Sequence, residues 1–285
     1  MKISVYITSY NQKDFLREAI DSVLNQTLQP FEIIIVDDAS TDGSQDLIKS
    51  YASKYVNIRY VFHDKNKGVS QVRITALNEI KGDYVTYLDG DDLYLPHKLE
   101  VESDLIAKSK CDLAFSNNMY VKEDDPKDIK WIWAANNISV DSNVDLFYKT
   151  ISRDFPRDSL FRMELINYEK LKQVGFHDPN LKIYEDYDLR IRLAKELSFT
   201  CSIEPTSKIR ISKNGLSKLP LKNHLISLNY ILNKYKNDID QLDKVKKEKL
   251  LIKIEDFKKG STQNLKGNRL KARIKNKLIN IIKRF

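Results

Sequence analysis

A chain of 285 residues, 41% of them hydrophobic, can bury the core of one large domain or of one domain with an appendage, which excludes a wholly disordered protein. Its net charge of +8 sits in the tail: Lys258 to Phe285 holds ten Lys or Arg and no acid, leaving 38 bases against 40 acids before it. No run approaches the roughly 20 apolar residues of a spanning helix. Met1-Lys2-Ile3-Ser4-Val5-Tyr6-Ile7 enters a strand at once without a leader pattern, and Cys111 and Cys201 are too few for a disulfide framework or a zinc site. A cytoplasmic chain with reduced cysteines is expected.

The first third alternates two periods. Ile3 to Ile7 reads as a strand, Lys13 to Asn25 as an amphipathic helix, Glu32 to Val36 as a strand, Gln45 to Tyr55 as a helix, and Ile58 to Phe62 as a strand. Ser70 to Ile80 gives a third helix, and Lys81-Gly82-Asp83 turns into the apolar run Tyr84 to Leu88. This alternation predicts a mostly parallel sheet covered on both faces, with ligands beyond the carboxyl ends of its strands. Further on, Pro96 to Lys108 reads as a helix, Cys111 to Val121 as a strand and Lys122 to Lys130 as a charged loop. Val144 to Ile151 is a short helix, Arg162 to Val174 a helix, Gly175 to Tyr184 a loop, Glu185 to Leu197 an amphipathic helix, and Ser198 to Ile211 the last strand. Helices follow from Lys222, with a polar break near Gly260 to Asn264.

Directly after the run ending at Leu88 stands Asp89-Gly90-Asp91-Asp92. Three carboxylates in four residues repel one another, and a compensating divalent cation relieves them; oxygen-only ligands favour Mg²⁺ or Mn²⁺ and leave positions for phosphate oxygens. A solvated acidic turn is the competing reading. Two more polar clusters follow strands: Thr8-Ser9-Tyr10-Asn11 and Asp37-Asp38-Ala39-Ser40. With Asp21-Ser22-Val23-Leu24-Asn25-Gln26-Thr27, Asn66-Lys67-Gly68-Val69-Ser70 and Tyr184-Glu185-Asp186-Tyr187-Asp188, these stretches together resemble the nucleotide-sugar-dependent inverting glycosyltransferases of family 2, over roughly residues 2 to 215. An apolar run before two aspartates also fits a phosphoacceptor domain, which leaves the cluster at residue 89 and the Glu185-Asp186 pair without a role.

The resemblance implies the GT-A fold, a Rossmann-like, mostly parallel central sheet flanked by helices, over residues 1–220. The donor half spans about 1–95, the acceptor half about 96–220, and a helical extension 221–285. It implies a nucleotide pocket of Thr8, Tyr10 and Asp38, where an aromatic ring can stack on a base and a carboxylate can accept from an N–H. Capping of the Ser-Thr-Asp-Gly turn competes for Asp37 and Asp38. Asp91 is implied as metal ligand, Asp89 as its neighbour between metal and ribose, and Arg73 as a phosphate contact, for which a solvated surface role competes. Asp186 is implied as general base, taking the proton of an acceptor hydroxyl; the start of a helix favours its ionised form. Asp188 is left to orient Arg190 or Arg192. Where relatives carry a histidine near the metal, this chain has Ser212, with Lys213 and Lys218 in the same loop.

The function expected is transfer of a sugar from a nucleoside diphosphate sugar, UDP-linked by preference, to an acceptor hydroxyl with Mn²⁺ or Mg²⁺, in cell-surface polysaccharide or glycolipid synthesis. A glycan or lipid-linked acceptor is the expected partner, and no nucleic acid. Residues 262–285 repeat apolar positions at helical spacing (Leu270, Ile274, Leu278, Ile281) among bases, a pattern suited to peripheral contact with the anionic inner face of a membrane. Two alternatives stand: a sugar-phosphate nucleotidyltransferase, which would carry a Gly-rich phosphate loop near the N-terminus, and a catalytically silent, membrane-associated sugar-nucleotide binding subunit.

Overall fold

The computed structural model describes residues 1–133, 145–153, 161–212, 215 and 219–263, with side chains described up to residue 256. The chain forms two compact units, Met1–Leu219 and Pro220–Phe285.

The first unit starts with four parallel strands, β1 (Ile3–Ser9), β2 (Glu32–Asp37), β3 (Ile58–Phe62) and β4 (Tyr84–Asp89), in the order β3-β2-β1-β4. Strands buried on both faces should be apolar without alternation, and Ile33 to Val36 are each 0% exposed. Crossovers run through α1 (Lys13–Leu24), α2 (Ser44–Ala52) and α3 (Val69–Asn78). In α1 the buried stripe Leu16, Ala19, Ile20 and Val23 follows the three-and-four spacing of a helix face packed on a sheet. Fully burying one such Leu, Ile or Val contributes about 1.5–3 kcal/mol, so this half of the sheet is rigid beneath the loops it carries.

Beyond β4 the sheet becomes mixed. Its order continues β4-β8-β6-β9-β5, with β7 paired to β6, through β5 (Leu93–Tyr94), β6 (Leu113–Lys122), β7 (Asp125–Ile132), β8 (Leu165–Asn167) and β9 (Phe199–Ile211). β8 runs antiparallel to both β4 and β6, and β9 parallel to β6. Helices α4 (Lys98–Ser109), α5 (Leu146–Ile151), α6 (Tyr168–Val174) and α7 (Glu185–Glu196) complete this unit. The second unit consists of α8 (Leu221–Lys234), α9 (Lys236–Asp240) and α10 (Lys244–Gln263).

Three expectations are corrected. Residues 125–132 form a strand rather than a charged loop; Pro126 lies near its start and the strand pairs with β6 alone among the described residues, an edge position that tolerates proline. Leu165–Asn167 is a strand where a continuous helix over 162–174 was expected, because three residues carry no period of their own and pairing with two neighbours decides their state. Asn167 then caps α6, its side chain accepting from the Lys170 N–H at 3.1 Å. α10 runs through Gly260 to Gln263 with no break there. The basic amphipathic pattern beyond residue 263, like Lys213 and Lys218, lies outside the described residues. Among the described residues no helix is long and apolar enough to cross a membrane.

Candidate active site

Register places the polar clusters level with one another. Thr8 stands opposite Val36 on one side and Asp89 on the other, and the Asp38 N–H donates to the Ser9 carbonyl at 2.9 Å. The two aspartates after β2 do different work. Asp37, fully buried, accepts from the Ser9 and Ser40 hydroxyls at 2.8 and 2.5 Å and from the Ser40 N–H at 2.8 Å, so it builds the turn. Asp38 accepts from the Lys67 and Gly68 N–H groups, each at 2.8 Å, and faces His63 Nδ1 at 2.7 Å. Asp38 therefore ties the end of β2 to the loop that opens α3. Tyr10, directly after β1, is 48% exposed, a ring available to stack.

Arg73 is the centre of the site and is only 4% exposed. Its Nη2 donates to Asp89 Oδ1 at 2.7 Å, its Nε lies 3.4 Å from Glu185 Oε1, and its guanidinium covers the Tyr87 ring at 4.4 Å. Thr8 donates to the same Asp89 oxygen at 3.1 Å. A surface role for Arg73 is thereby excluded. Burial would weaken its charge, but Asp89 and the neighbouring groups hold its pKa well above the ordinary value, so it stays a cation beneath the acidic loop. Nη1 and Nε have no hydrogen-bond partner in a buried place, an unusual state for a guanidinium and one that an anionic ligand would relieve.

Glu185 and Asp186 open α7 with opposite electrostatics. Burial and the adjacent Asp186 push Glu185 up to about 7. For Asp186 burial acts in the same direction, but Arg190, Arg162 and Arg73 outweigh it and hold the carboxyl well below the usual range. Asp186 Oδ2 accepts from Arg190 Nη1 at 2.6 Å and Oδ1 from the Tyr187 N–H at 2.8 Å. Its side chain keeps 24% exposure, against 6% for Glu185, so Asp186 is the one of the pair open to an incoming group. Asp188 pairs with Arg192 at 3.1 Å rather than with Arg190, and Arg192 also donates to the carbonyls of Val174, Gly175 and Phe176. That pair fastens the preceding loop to α7.

The acidic loop is held from both sides. Arg210 on β9 donates from its N–H to Asp92 Oδ1 at 2.8 Å and from Nη1 to the Asp91 carbonyl at 2.6 Å. Asp92 is buried and is raised well above the carboxylate range by burial, then by Asp91 and Asp89, which marks it as support rather than a ligand. Burial and Asp89 push Asp91 up to about 6. A half-buried carboxyl with an unmet need for positive charge fits a divalent cation, and Asp91 with Asp89 is a donor set suited to Mg²⁺ or Mn²⁺ completed by phosphate and water. No third carboxylate, histidine or cysteine joins them among the described residues, and Ser212 stands half-buried at the end of β9.

Gly90 explains the Asp-Gly-Asp spelling. A Cβ there would lie 2.5 Å from the Thr8 carbonyl oxygen, which belongs to β1 and cannot move cheaply. Gly90→Ala is expected to cost about 1–3 kcal/mol of stability and to displace Asp89 from Arg73. Denaturant melts of the purified variant check the first effect, and a midpoint equal to wild type would refute it.

The structure thus brings Thr8, Asp89, Arg73 and Asp186 into one connected site, with Asp91 on the loop after β4, Asp38 at the β2 end and Tyr10 exposed just after β1. Sequence reasoning missed Tyr87 and Glu164, and offered Arg190 only as a partner for Asp188, whereas it pairs with Asp186 at 2.6 Å. Arg190 carried one readable signal, its place four residues after Asp186 on the same helix face. Glu164 gave none, because the strand that places it was not legible.

The profile of Glycosyl transferase family 2 matches residues 4–168, more than half of the chain. A Bacillus subtilis (strain 168) glycosyltransferase, TuaG, whose name assigns it provisionally to teichuronic acid biosynthesis, is 33% identical over 139 residues, covering 49% of this chain and 55% of that protein. An uncharacterized glycosyltransferase of Haemophilus influenzae is 28% identical over 236 residues, 82% of this chain and 89% of that one. The chain thus spans about half the length of the Bacillus relative and most of the Haemophilus one. Among solved structures, S. aureus TarS 1-349 in complex with UDP-GlcNAc aligns over 95% of this chain and 78% of that one, with TM-score 0.69 and 18% identity. With the fold shared and the family profile matched over more than half of the chain, this chain belongs to glycosyl transferase family 2.

Proposed function

We propose that this protein is a metal-dependent, inverting hexosyltransferase that moves a sugar from a UDP-sugar to a hydroxyl of a glycan or lipid-linked acceptor, in cell-surface polysaccharide or glycolipid synthesis. The observation that carries this reading is Arg73, which joins Asp89 of the acidic loop to Glu185 beside Asp186 and so makes donor carboxylates and candidate base one site. Solved relatives in fold hold UDP-GlcNAc, or GDP-Man with Mn²⁺, and the first supports the uridine assignment.

In this reading Tyr10 stacks on the base, Thr8 and Asp38 shape the nucleotide end, and Arg73 faces the phosphates. The acceptor oxygen attacks the anomeric carbon from the face opposite the diphosphate; that C–O bond forms as the bond to phosphate breaks, and the hydroxyl proton passes to Asp186. The diphosphate leaves carrying the bonding pair, next to the Arg73 guanidinium. A divalent cation held by Asp91 and Asp89 would supply further positive charge for the leaving group.

The test is a donor screen with UDP-GlcNAc, other UDP-hexoses and GDP-mannose, with Mn²⁺ or Mg²⁺ and with chelator, reading release of nucleoside diphosphate. Metal-dependent cleavage of at least one UDP-sugar is expected. Binding of a donor without cleavage would favour the silent sugar-nucleotide subunit, and neither binding nor cleavage would end both readings.

A further inference from the structure

Arg190 is 1% exposed, and three groups surround its guanidinium. Nη1 donates to Asp186 Oδ2 at 2.6 Å, Nη2 donates to the Tyr87 hydroxyl, and Nη2 lies 3.5 Å from Glu164 Oε2. The Glu164 oxygen is itself buried and accepts no hydrogen bond, and Arg190 Nε, equally buried, donates none. An unused donor on the guanidinium and an unused acceptor beside it mark an incomplete pair, which buried ionic groups rarely leave open without reason.

We propose that Arg190 is a positioning residue shared between two carboxylates: it aims Asp186 before transfer and turns its hydrogen bond to Glu164 as Asp186 takes the acceptor's proton. The inference rests on Asp186 being the base. The charges balance throughout. Before the step, one guanidinium serves two carboxylates; afterwards Asp186 is a neutral acid and Arg190 with Glu164 forms a complete ion pair, so no buried cation is stranded. A base held this tightly by one arginine would be a weak proton acceptor, and release of Arg190 toward Glu164 is what restores its basicity during the step.

Glu164 is fixed for this task by the segment before β8. The preceding residue, Met163, has φ 54°, a left-handed conformation unusual for a side chain of that size. Its carbonyl is gripped by Lys98 Nζ at 2.7 Å and the Thr86 hydroxyl at 3.0 Å, so the strained residue is held in place by α4 and β4. Around Asp186 the other charged or titratable neighbours are Glu185 on α7, Arg73 on α3, Arg162 and Glu164 before β8, Tyr87 on β4 and His177 on the loop before α7. Tyr87, Glu164, His177 and Asp186 are among the residues lining one cavity of about 20 Å³, room for about one water molecule.

Arg190→Met, Arg190→Lys, Glu164→Gln and the double variant Arg190→Met/Glu164→Gln separate the two halves of the idea. The double variant removes the carboxylate that Arg190→Met alone would strand in the core, and serves if the single variant does not fold. Carboxyl ¹³C NMR of Asp-labelled protein, with Asp186 assigned through Asp186→Asn, reads the base directly and needs no turnover. Expected is no titration of Asp186 between pH 4 and 8 in wild type, Arg190→Lys and Glu164→Gln, and titration inside that window in Arg190→Met or the double variant. Glu164→Gln and Arg190→Lys are expected to lower kcat for UDP-GlcNAc hydrolysis about tenfold with the donor KM unchanged. A silent Asp186 in both Arg190→Met and the double variant, or wild-type kcat in Glu164→Gln, overturns the proposal. Absence of any hydrolysis by wild type would count against the proposed function, while the NMR arm still decides whether Arg190 governs Asp186.

Discussion

Asp186→Asn is expected to lower kcat by about 10²–10⁴-fold, the range a positioned general base supplies, while leaving affinity for UDP within about twofold. The carboxamide keeps the size of the side chain and the acceptor for the Tyr187 N–H but cannot take a proton at neutral pH. Glu185, pushed up to about 7, has the affinity for a proton that a base working near neutrality would want, and so is the rival. Access decides against it. The Glu185 carboxyl is 6% exposed and its nearest cation, Arg73, lies on the donor side, whereas Asp186 is open enough to meet an acceptor. Glu185→Gln is therefore expected to cost about tenfold or less in kcat, and to act chiefly through Arg73. Steady-state kinetics on both variants, with calorimetry for UDP, discriminates the two; a larger loss from Glu185→Gln than from Asp186→Asn would reverse the assignment. The pH sign also differs. Asp186 is depressed in the folded chain, so the stability it contributes is present above the unfolded carboxylate pKa and is lost as pH falls through its lower folded value. No acid limb from Asp186 is expected in the wild-type rate profile between pH 5 and 8.

What could be read from sequence divides along the sheet. The βαβ half was legible because each strand is an uninterrupted apolar run and each helix has its own stripe, as in Ile33 to Val36 against Leu16, Ala19, Ile20 and Val23. Ligand-bearing loops then had to lie at the strand ends, and Thr8, Asp38 and Asp89 do. The acceptor half was less legible because its strands owe their state to partners far away. β8 is three residues long and exists only through β4 and β6, and β7 is a charged edge. That is also why Glu164 was invisible and Arg73 ambiguous. Nothing within the helix Val69–Asn78 says that its arginine is buried, since what buries it is Tyr87 on β4 and Glu185 on α7. The split of the two neighbouring pairs, Asp37 from Asp38 and Glu185 from Asp186, likewise depends in large part on distant partners, Ser9 for Asp37, Lys67 and Gly68 for Asp38, Arg73 for Glu185, and Arg162 and Arg73 beside the nearby Arg190 for Asp186.

Asp91→Asn is expected to separate function from stability. Burial, then Asp89, push the Asp91 carboxyl up to about 6, so the folded chain prefers it protonated. The stability associated with that preference is full below the unfolded carboxylate pKa and is lost as pH rises through about 6. At pH 8 without metal the ionised side chain then costs on the order of 1–3 kcal/mol, and asparagine, isosteric and neutral, removes the cost. The variant is expected to melt a few degrees above wild type in chelator at pH 8, and to show little difference only near pH 3, below the unfolded carboxylate pKa. Activity moves the other way, because the same uncompensated charge is what would hold the cation that faces the leaving diphosphate; loss of several kcal/mol of transition-state stabilisation corresponds to roughly 10²–10⁴-fold in kcat/KM. Mn²⁺ should raise the melting temperature of wild type and not that of Asp91→Asn, a readout independent of turnover. Equal stabilisation of both proteins by Mn²⁺ would remove Asp91 from the metal site. Unchanged melting in chelator at pH 8 would instead show that Arg210 and Arg162 already satisfy the carboxylate, leaving the loop no need of a cation to hold its charge.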